Sequence, residues 1–238
     1  MGQKEFADQP EALPARSVSE GWGIPRSRFG LVTRRLLTDR FLDWTERLLL
    51  LAFYGWLVVR LLDGYRDSGD VASLLLLPSE GLIVFFMLIR RPPSELSRRW
   101  AEWLLALAAS CAPLLATPTS GGGLVPAAVG AAVLLMGMLV QLHAKVTLGR
   151  SFGCVPAHRG LKLHGPYRFV RHPMYAGYLL GHLGFLLLNP GPWNLAVYAL
   201  AYGLQIPRLL AEERLLGRDP GYRAYQIGVR YRLIPGLF

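Results

Sequence analysis

The apolar residues of this chain come in long blocks, and such blocks leave very few folds open. They occupy 44–62, 71–89, 100–116, 124–142, 174–188 and 193–210, with few charges inside any of them. A helix on the surface of a soluble protein carries an apolar stripe and a polar face, whereas these runs are apolar nearly all round. In lipid every backbone amide must be satisfied internally, so spanning segments are helices or closed barrels, and the run lengths suit helices. Four of the blocks reach or approach the roughly 20 residues that a helix needs to cross the hydrocarbon core. Block 174–188 rises only about 22 Å as a helix. It is expected to pair with the sixth block, as two crossings or as a re-entrant hairpin turned at Asn189-Pro190-Gly191-Pro192. The expected fold is all-α: a polytopic membrane helix bundle of about six transmembrane or re-entrant helices.

Charge placement gives the bundle an orientation. Lys4, Arg16, Arg26, Arg28, Arg34, Arg35 and Arg40 precede the first block, and acids outnumber bases around 63–70. Arg90, Arg91, Arg98 and Arg99 come next, then the uncharged connection 117–123, the basic stretch 145–171, the uncharged turn and a basic tail from Arg208 onward. Basic and non-basic connections alternate, which places both termini and the stretch 145–171 on the cytoplasmic side of the membrane. The net charge of +10 is spread over every inside connection. It forms no single stripe, so it argues for anionic lipid headgroups and against nucleic acid as the partner. Cys111 and Cys154 fall on opposite predicted sides and are not expected to pair, and two cysteines make no metal site. Among the histidines, His158 and His164 are near one another but lack an acidic or thiol partner at ligand spacing, so no metal is expected. The first forty residues lack a continuous apolar core with a cleavage site and read as no secretory leader. With Pro10, Pro14 and Pro25, this tail is expected to be flexible to about Phe29. Three regions follow: a basic cytoplasmic tail (1–40), a four-helix membrane region (41–142) and a core with helical hairpin and tail (143–238).

Glu80 and His182 lie near the middle of their blocks. Glu80 sits after Pro78 in the second, where a lipid-facing charge costs a few kcal/mol. It is read as a partnered or protonated carboxyl at a proline kink, with the wall of a polar substrate cavity as the competing role. His182 in the fifth block is read as a packed, hydrogen-bonded imidazole.

One cluster stands out against this background: Gly165-Pro166-Tyr167-Arg168-Phe169-Val170-Arg171-His172-Pro173-Met174-Tyr175. Pro173 suits the first turn of a helix, with His172 as the residue before it. Free amides at that helix start, beside Arg171, would seat a carboxylate or phosphate. Gly165-Pro166 supplies a tight turn, and Tyr167 and Tyr175 offer flat faces to a purine or a cation. Beyond the sixth block, Arg208 and Glu212 are four apart and share one helical face, with Glu213 following. Carboxylate, ammonium, purine and sulfonium would all find partners in this set, and S-adenosylmethionine carries all four.

Gly165-Pro166-Tyr167, then Arg171-His172-Pro173-Met174-Tyr175, then Glu212-Glu213 and Gly221-Tyr222 with Tyr225 resemble the isoprenylcysteine carboxyl methyltransferase family and the wider phospholipid-methyltransferase superfamily. The resemblance covers about 148–238. It implies that Arg159, Gly160, Leu161, Lys162, Gly165, Tyr167, Arg171, His172, Pro173, Met174 and Tyr175 form a cytoplasmic-side cofactor pocket with Glu212 and Glu213. Glu212 would hold the ammonium of S-adenosylmethionine, and Arg208 would meet a lipophilic acceptor. Arg159-Gly160-Leu161-Lys162 departs from the His-Thr-Leu-Val usual in the prenylcysteine enzymes. The tail 219–232 would close over the cofactor or lie in the interface. Open alternatives are a phospholipid amine or small thiol as acceptor, an NADPH-dependent enzyme like the sterol reductases, and a transporter or scaffold centred on Glu80. Nothing in the sequence fixes an oligomeric state.

Overall fold

Prolines and caps set where the helices begin. Pro173, Pro192 and Pro220 open three of them, a position where the missing amide costs nothing. The computed structural model describes residues 26–68, 71–119 and 121–238, the side chains of 26–36, 68 and 71–77 excepted. Its helices are α1 (Arg26–Ser68), α2 (Val71–Ile89), α3 (Trp100–Cys111), α4 (Ala127–Leu148), α5 (Pro173–Leu188), α6 (Pro192–Leu216) and α7 (Pro220–Gly228). A short 3-10 stretch, Ala112–Leu115, prolongs α3. The two-residue strands β1 (Glu95–Leu96) and β2 (Ala157–His158) pair antiparallel, Glu95 opposite His158. The fold is all-α apart from this pair. Two expectations need correction: α1 is already helical at 26–29, and it runs through the acidic connection to Ser68. Lys4, Arg16 and the rest of the tail to residue 25 lie outside the described residues.

The count of spans is also corrected. Among the described residues, two helices are long and apolar enough to cross a membrane, Leu37–Asp67 and Ala127–Ser151. Trp100–Leu115 and Pro173–Leu188 are shorter apolar helices, as is Pro78–Ile89, the part of α2 whose side chains are described. The physical reasons are local. α3 has twelve residues before it tightens, and α6 carries Arg208, Glu212, Glu213 and Arg214 in its last turns, whereas α2 runs unbroken through Pro78 and Glu80. The two long helices bury only 6% and 17% of their apolar windows, the reverse of a core helix in a soluble protein. Trp56, Leu139 and Leu195 expose half or more of their surface. Such apolar exposure fits membrane association.

Packing within the unit Thr38–Phe238 follows from small residues. Gly130 and Gly137 on α4 meet Gly177 and Gly184 on α5, each pair seven residues apart. A Cβ on Gly137 would lie 2.2 Å from the Gly181 amide nitrogen, so the two backbones lie in contact, as small residues permit. α6 takes a different neighbour and lies along α3. The hairpin expected from blocks five and six therefore splays: its turn is at 189–192, but α5 and α6 touch little and a cavity opens between them. At the turn, Asn194 Nδ2 donates to the carbonyls of Thr117 (2.8 Å) and Asn189 (2.9 Å), and its Oδ1 accepts from the Thr117 amide (3.0 Å).

At the other end of the unit a buried charge cluster ties three segments together. Asp43 and Glu46 of α1 face Arg90, which follows α2, and Arg159, which follows β2. The Arg90 guanidinium lies 2.8 Å from Asp43 and 3.1 Å from Glu46, and Arg159 lies 3.1 Å and 2.8 Å from the same two acids. Buried charges persist only when paired and hydrogen-bonded.

Candidate functional site

The segment 149–172, between α4 and α5, folds against the ends of α6 and α7 and shapes a polar cleft. Its walls are Ser151, Gly153–Val155, Ala157, Arg159–Leu163, Tyr167, Arg171, His172, Met174 and Tyr175, closed by Glu212, Leu216, Tyr222 and Tyr225. Counted out to its open mouth it measures about 820 Å³. Glu212 accepts from the Tyr175 hydroxyl (3.0 Å), and Tyr175 stacks on His172 at 5.5 Å. Tyr222 is 3% exposed and its hydroxyl has no hydrogen-bond partner among the described residues. Burial first, then the Glu213 and Glu212 carboxylates, pushes the Tyr222 phenol well above its ordinary range. It therefore stays a neutral donor without an acceptor, in a cleft wall.

A second, apolar cavity lies beyond this wall, about 1490 Å³ counted out to its mouths. It is lined by Leu50, Phe53, Tyr54 and Leu57 of α1, Ser110 and Leu114, Met138 and Gln141 of α4, Tyr178, His182 and Phe185 of α5, and Tyr198, Tyr202, Gln205 and Arg208 of α6. Cys154 and Met174 line both spaces. Arg208 donates to the Cys154 carbonyl (2.9 Å) and lies 3.3 Å from the Ser110 hydroxyl, with its guanidinium 5.5 Å over the Tyr175 ring. Its Nε has no partner, and no carboxylate lies within 4.0 Å of it among the described residues. Arg208 is thus a buried cation at the edge of an apolar space, and Glu212 is an acid one helical turn on, in the polar cleft.

Several sequence expectations change at this point. Ten of the residues named as cofactor-binding line the cleft: Arg159, Gly160, Leu161, Lys162, Tyr167, Arg171, His172, Met174, Tyr175 and Glu212. Gly165, Pro173 and Glu213 do not. Gly165 has φ +60° and faces Thr147 of α4, a left-handed turn that favours glycine. Pro173 is fully buried at the start of α5. Glu213 instead gathers Arg171 (2.7 Å), His172 (3.3 Å) and Arg232 (2.8 Å). Burial pushes the Glu213 carboxyl up, but hydrogen bonds from His172, Arg232 and Arg171 prevail and hold it at about 2. Arg171, expected to seat an anion, spends its Nε on Glu213 and its Nη1 on the carbonyls of Val229 (3.0 Å) and Arg230 (2.9 Å). The amides of Arg171 and His172 donate to Tyr231 and Arg232 carbonyls, so they too are taken by the tail. Arg159 turns its guanidinium away to Asp43 and Glu46.

The tail covers the cleft. Asp219 caps α7 through the Gly221 (2.6 Å) and Tyr222 (3.2 Å) amides, and its carboxylate lies 3.1 Å from His158. Tyr225 donates to the Tyr167 carbonyl at 2.5 Å. His182 is packed as expected, its Nδ1 2.9 Å from the Tyr202 hydroxyl and its ring 4.6 Å from Tyr198. Glu80 lines the apolar cavity, next to Ser79, which accepts from the buried Lys145 ammonium at 2.6 Å. Cys111 follows Ser110, whose hydroxyl is 3.5 Å from the Cys154 sulfur, so the two cysteines are not at opposite ends; both are free. Gly153, Cys154 and Val155 were missed. Their chemistry is backbone chemistry, which leaves no residue-type signal.

Residues 123–219 match the model of the phospholipid methyltransferase family. The matched segment contains α4, α5, α6 and the connection that forms most of the cleft wall. Protein-S-isoprenylcysteine O-methyltransferase A of Arabidopsis thaliana is 33% identical over 90 residues, which are 35% of this chain and 43% of that protein. The probable protein-S-isoprenylcysteine O-methyltransferase of Oryza sativa subsp. indica is 33% identical over 78 residues, 30% of this chain and 40% of that protein. The chain thus spans less than half the length of these curated relatives. Among solved structures, the eukaryotic intramembrane Ras methyltransferase ICMT (isoprenylcysteine carboxyl methyltransferase), without a monobody, aligns with a TM-score of 0.42 and 17% identity, over 88% of this chain and 89% of that one. The resemblance read from Arg171-His172-Pro173-Met174-Tyr175 and Glu212-Glu213 is supported at the level of the phospholipid-methyltransferase-like superfamily.

Proposed function

We propose that this protein is an integral membrane S-adenosylmethionine-dependent methyltransferase whose acceptor is a lipophilic carboxylate, of the isoprenylcysteine kind or another lipid acid. The observation that carries this reading is the pairing of two spaces across one wall: Glu212 in a polar cleft, Arg208 in an apolar cavity, Cys154 and Met174 facing both. The cleft suits the cofactor in its donor set. Glu212 has a carboxylate for an ammonium, Lys162 a cation for a carboxylate, and Tyr222 an unspent buried hydroxyl. When bound, S-adenosylmethionine supplies an electrophilic methyl on a sulfonium.

The residues of the chain contribute position and desolvation, the usual source of rate in an in-line displacement. Arg208, with no carboxylate in direct ion-pair contact among the described residues, is stabilised by an acceptor that brings a negative charge into the cavity. Such an acceptor needs no general base; His172 and His182, which line the two spaces, are engaged by Glu213 and Tyr202. Met174, Tyr175 and Cys154 keep water from the wall. The basic connections favour a cytoplasmic cleft, with the acceptor entering from the bilayer.

The test is direct. Membranes containing the protein are incubated with radiolabelled methyl donor and N-acetyl-S-farnesylcysteine, and label is followed into lipid, protein and volatile fractions. Label in a base-labile ester is expected. Glu212→Ala should weaken binding of S-adenosylhomocysteine at least tenfold by calorimetry, while Arg208→Ala leaves that binding within threefold and abolishes turnover. Full turnover by Arg208→Ala, or label only in amines, would refute the reading.

A further inference from the structure

We infer that Glu46 is a positioning residue for this transfer: its carboxylate pins the peptide group that aims Arg208. The inference rests on the role proposed for Arg208. Glu46 lies on α1 and is 2% exposed. Its Oε1 accepts from the amides of Cys154 (2.7 Å) and Val155 (2.9 Å), and its Oε2 accepts from Arg159 (2.8 Å) and lies 3.1 Å from the Arg90 guanidinium. Of the about four acceptor sites of a carboxylate, three are hydrogen-bonded and the remaining side faces Arg90, so the buried Glu46 is closed to a substrate. It acts only through what it holds.

What it holds is the wall between the two spaces. The Val155 amide and the Cys154 carbonyl belong to one peptide group. That group is planar and trans, so its N–H and C=O point in opposite directions and turn together. On one side the N–H meets Glu46 at 2.9 Å; on the other the C=O receives Arg208 Nη2 at 2.9 Å. The latter is the shortest hydrogen bond that Arg208 makes among the described residues. A displaced Glu46 carboxylate therefore swings the carbonyl and, with it, the guanidinium. Hydrogen bonds in series polarise one another, which strengthens both ends of this chain. Gly153 completes the fit: a Cβ there would come within 2.2 Å of the Arg159 Nη1, so the Arg159 side chain lies flat on the wall it helps to anchor.

A purely structural ion cluster would depend on the charge of Glu46, whereas the positioning role depends on the reach of its oxygen. Two variants separate these. Glu46→Asp keeps the charge but draws the carboxylate back by one methylene. Glu46→Gln loses the charge but keeps an acceptor oxygen in place for both amides. With N-acetyl-S-farnesylcysteine as the acceptor probe, Glu46→Asp is expected to lower kcat at least tenfold. Its dissociation constant for S-adenosylhomocysteine should stay within threefold. Glu46→Gln is expected to keep kcat within threefold even where its Tm falls. In an Arg208→Lys background, Glu46→Asp should add less than a twofold loss, because both changes act on one guanidinium. The reverse order of the two variants, or losses that multiply, overturns the inference. Should Glu46→Asp fail to fold, Glu46→Gln decides alone: a tenfold loss overturns it and near-native kcat supports it. If the wild-type protein methylates neither the probe nor membrane lipid, the proposed function itself falls and Glu46 loses this role. If Arg208→Lys is impaired while both Glu46 variants match wild type, only the Glu46 inference falls.

Discussion

Tyr222 shows how a single atom can be informative. A buried hydroxyl without a partner costs about 1–3 kcal/mol, and the Tyr222 hydroxyl bears that cost beside the carboxylates of Glu212 and Glu213. Such an expense is understandable where a ligand supplies the acceptor. Tyr222→Phe should therefore melt at the same temperature as the parent, or slightly higher, without ligand. Its extra stabilisation by saturating S-adenosylhomocysteine should be smaller, by about 1 kcal/mol. Thermal unfolding with and without the ligand measures both. A lower Tm in the ligand-free variant would mean that the hydroxyl has a structural partner. The sequence could nominate Tyr222 as part of a motif, but not its isolation, since that depends on what α7 and α6 leave out of reach.

At the scale of elements, the tail and α5 are joined through Glu213. Residues 229–232 bond to Arg171 and to the amides that begin the approach to α5, while Glu213 draws Arg171, His172 and Arg232 together. The sign of the pH effect follows from the lowered carboxyl. Its value in the fold, about 2 against an ordinary 4.5, means that the stabilisation is fully present above about 4.5 and is lost as pH falls through about 2. The Tm difference between the parent and Glu213→Gln should accordingly be constant from pH 7 to 5 and narrow below 4.5. Hydrogen exchange at pH 7 should be faster in 229–238 of the variant. A difference that stays constant down to pH 2.5 would remove Glu213 from this role. Here the sequence was misleading for a physical reason. Arg171 and Glu213 look like ligand-binding groups because they are charged and close to a motif. The fold pairs them with each other, and of the two adjacent acids it is Glu212, on the next face of α6, that lines the cleft. The helix start at Pro173 was readable because proline acts within one turn. The α4–α5 seam was not, because close backbone approach depends on which glycines face each other.

For the whole molecule, the apolar blocks foretold helices and their exposed apolar faces, but not their partners. Blocks five and six are adjacent in sequence, yet α5 lies on α4 and α6 on α3. The second block folds over its full expected length, with Pro78 and Glu80 inside a continuous α2. Orientation can be tested independently of chemistry. The alternation of basic connections predicts that a fluorescent protein fused after Phe238 stays in the cytoplasm, where it is shielded from protease added to intact cells. Digestion of that fusion from outside would invert the assignment and place the cleft on the far face.

Cys154 and Met174 form a partition about one side chain thick. Reactants with opposite solubilities can come within reach of one another across it without either leaving its own phase. The two compartments also draw on largely separate parts of the chain, so under the proposed function α1 and α3 could be refitted to a differently shaped acceptor while the cleft stayed as it is. A partition of this kind lets one chemistry be retained while its clientele changes.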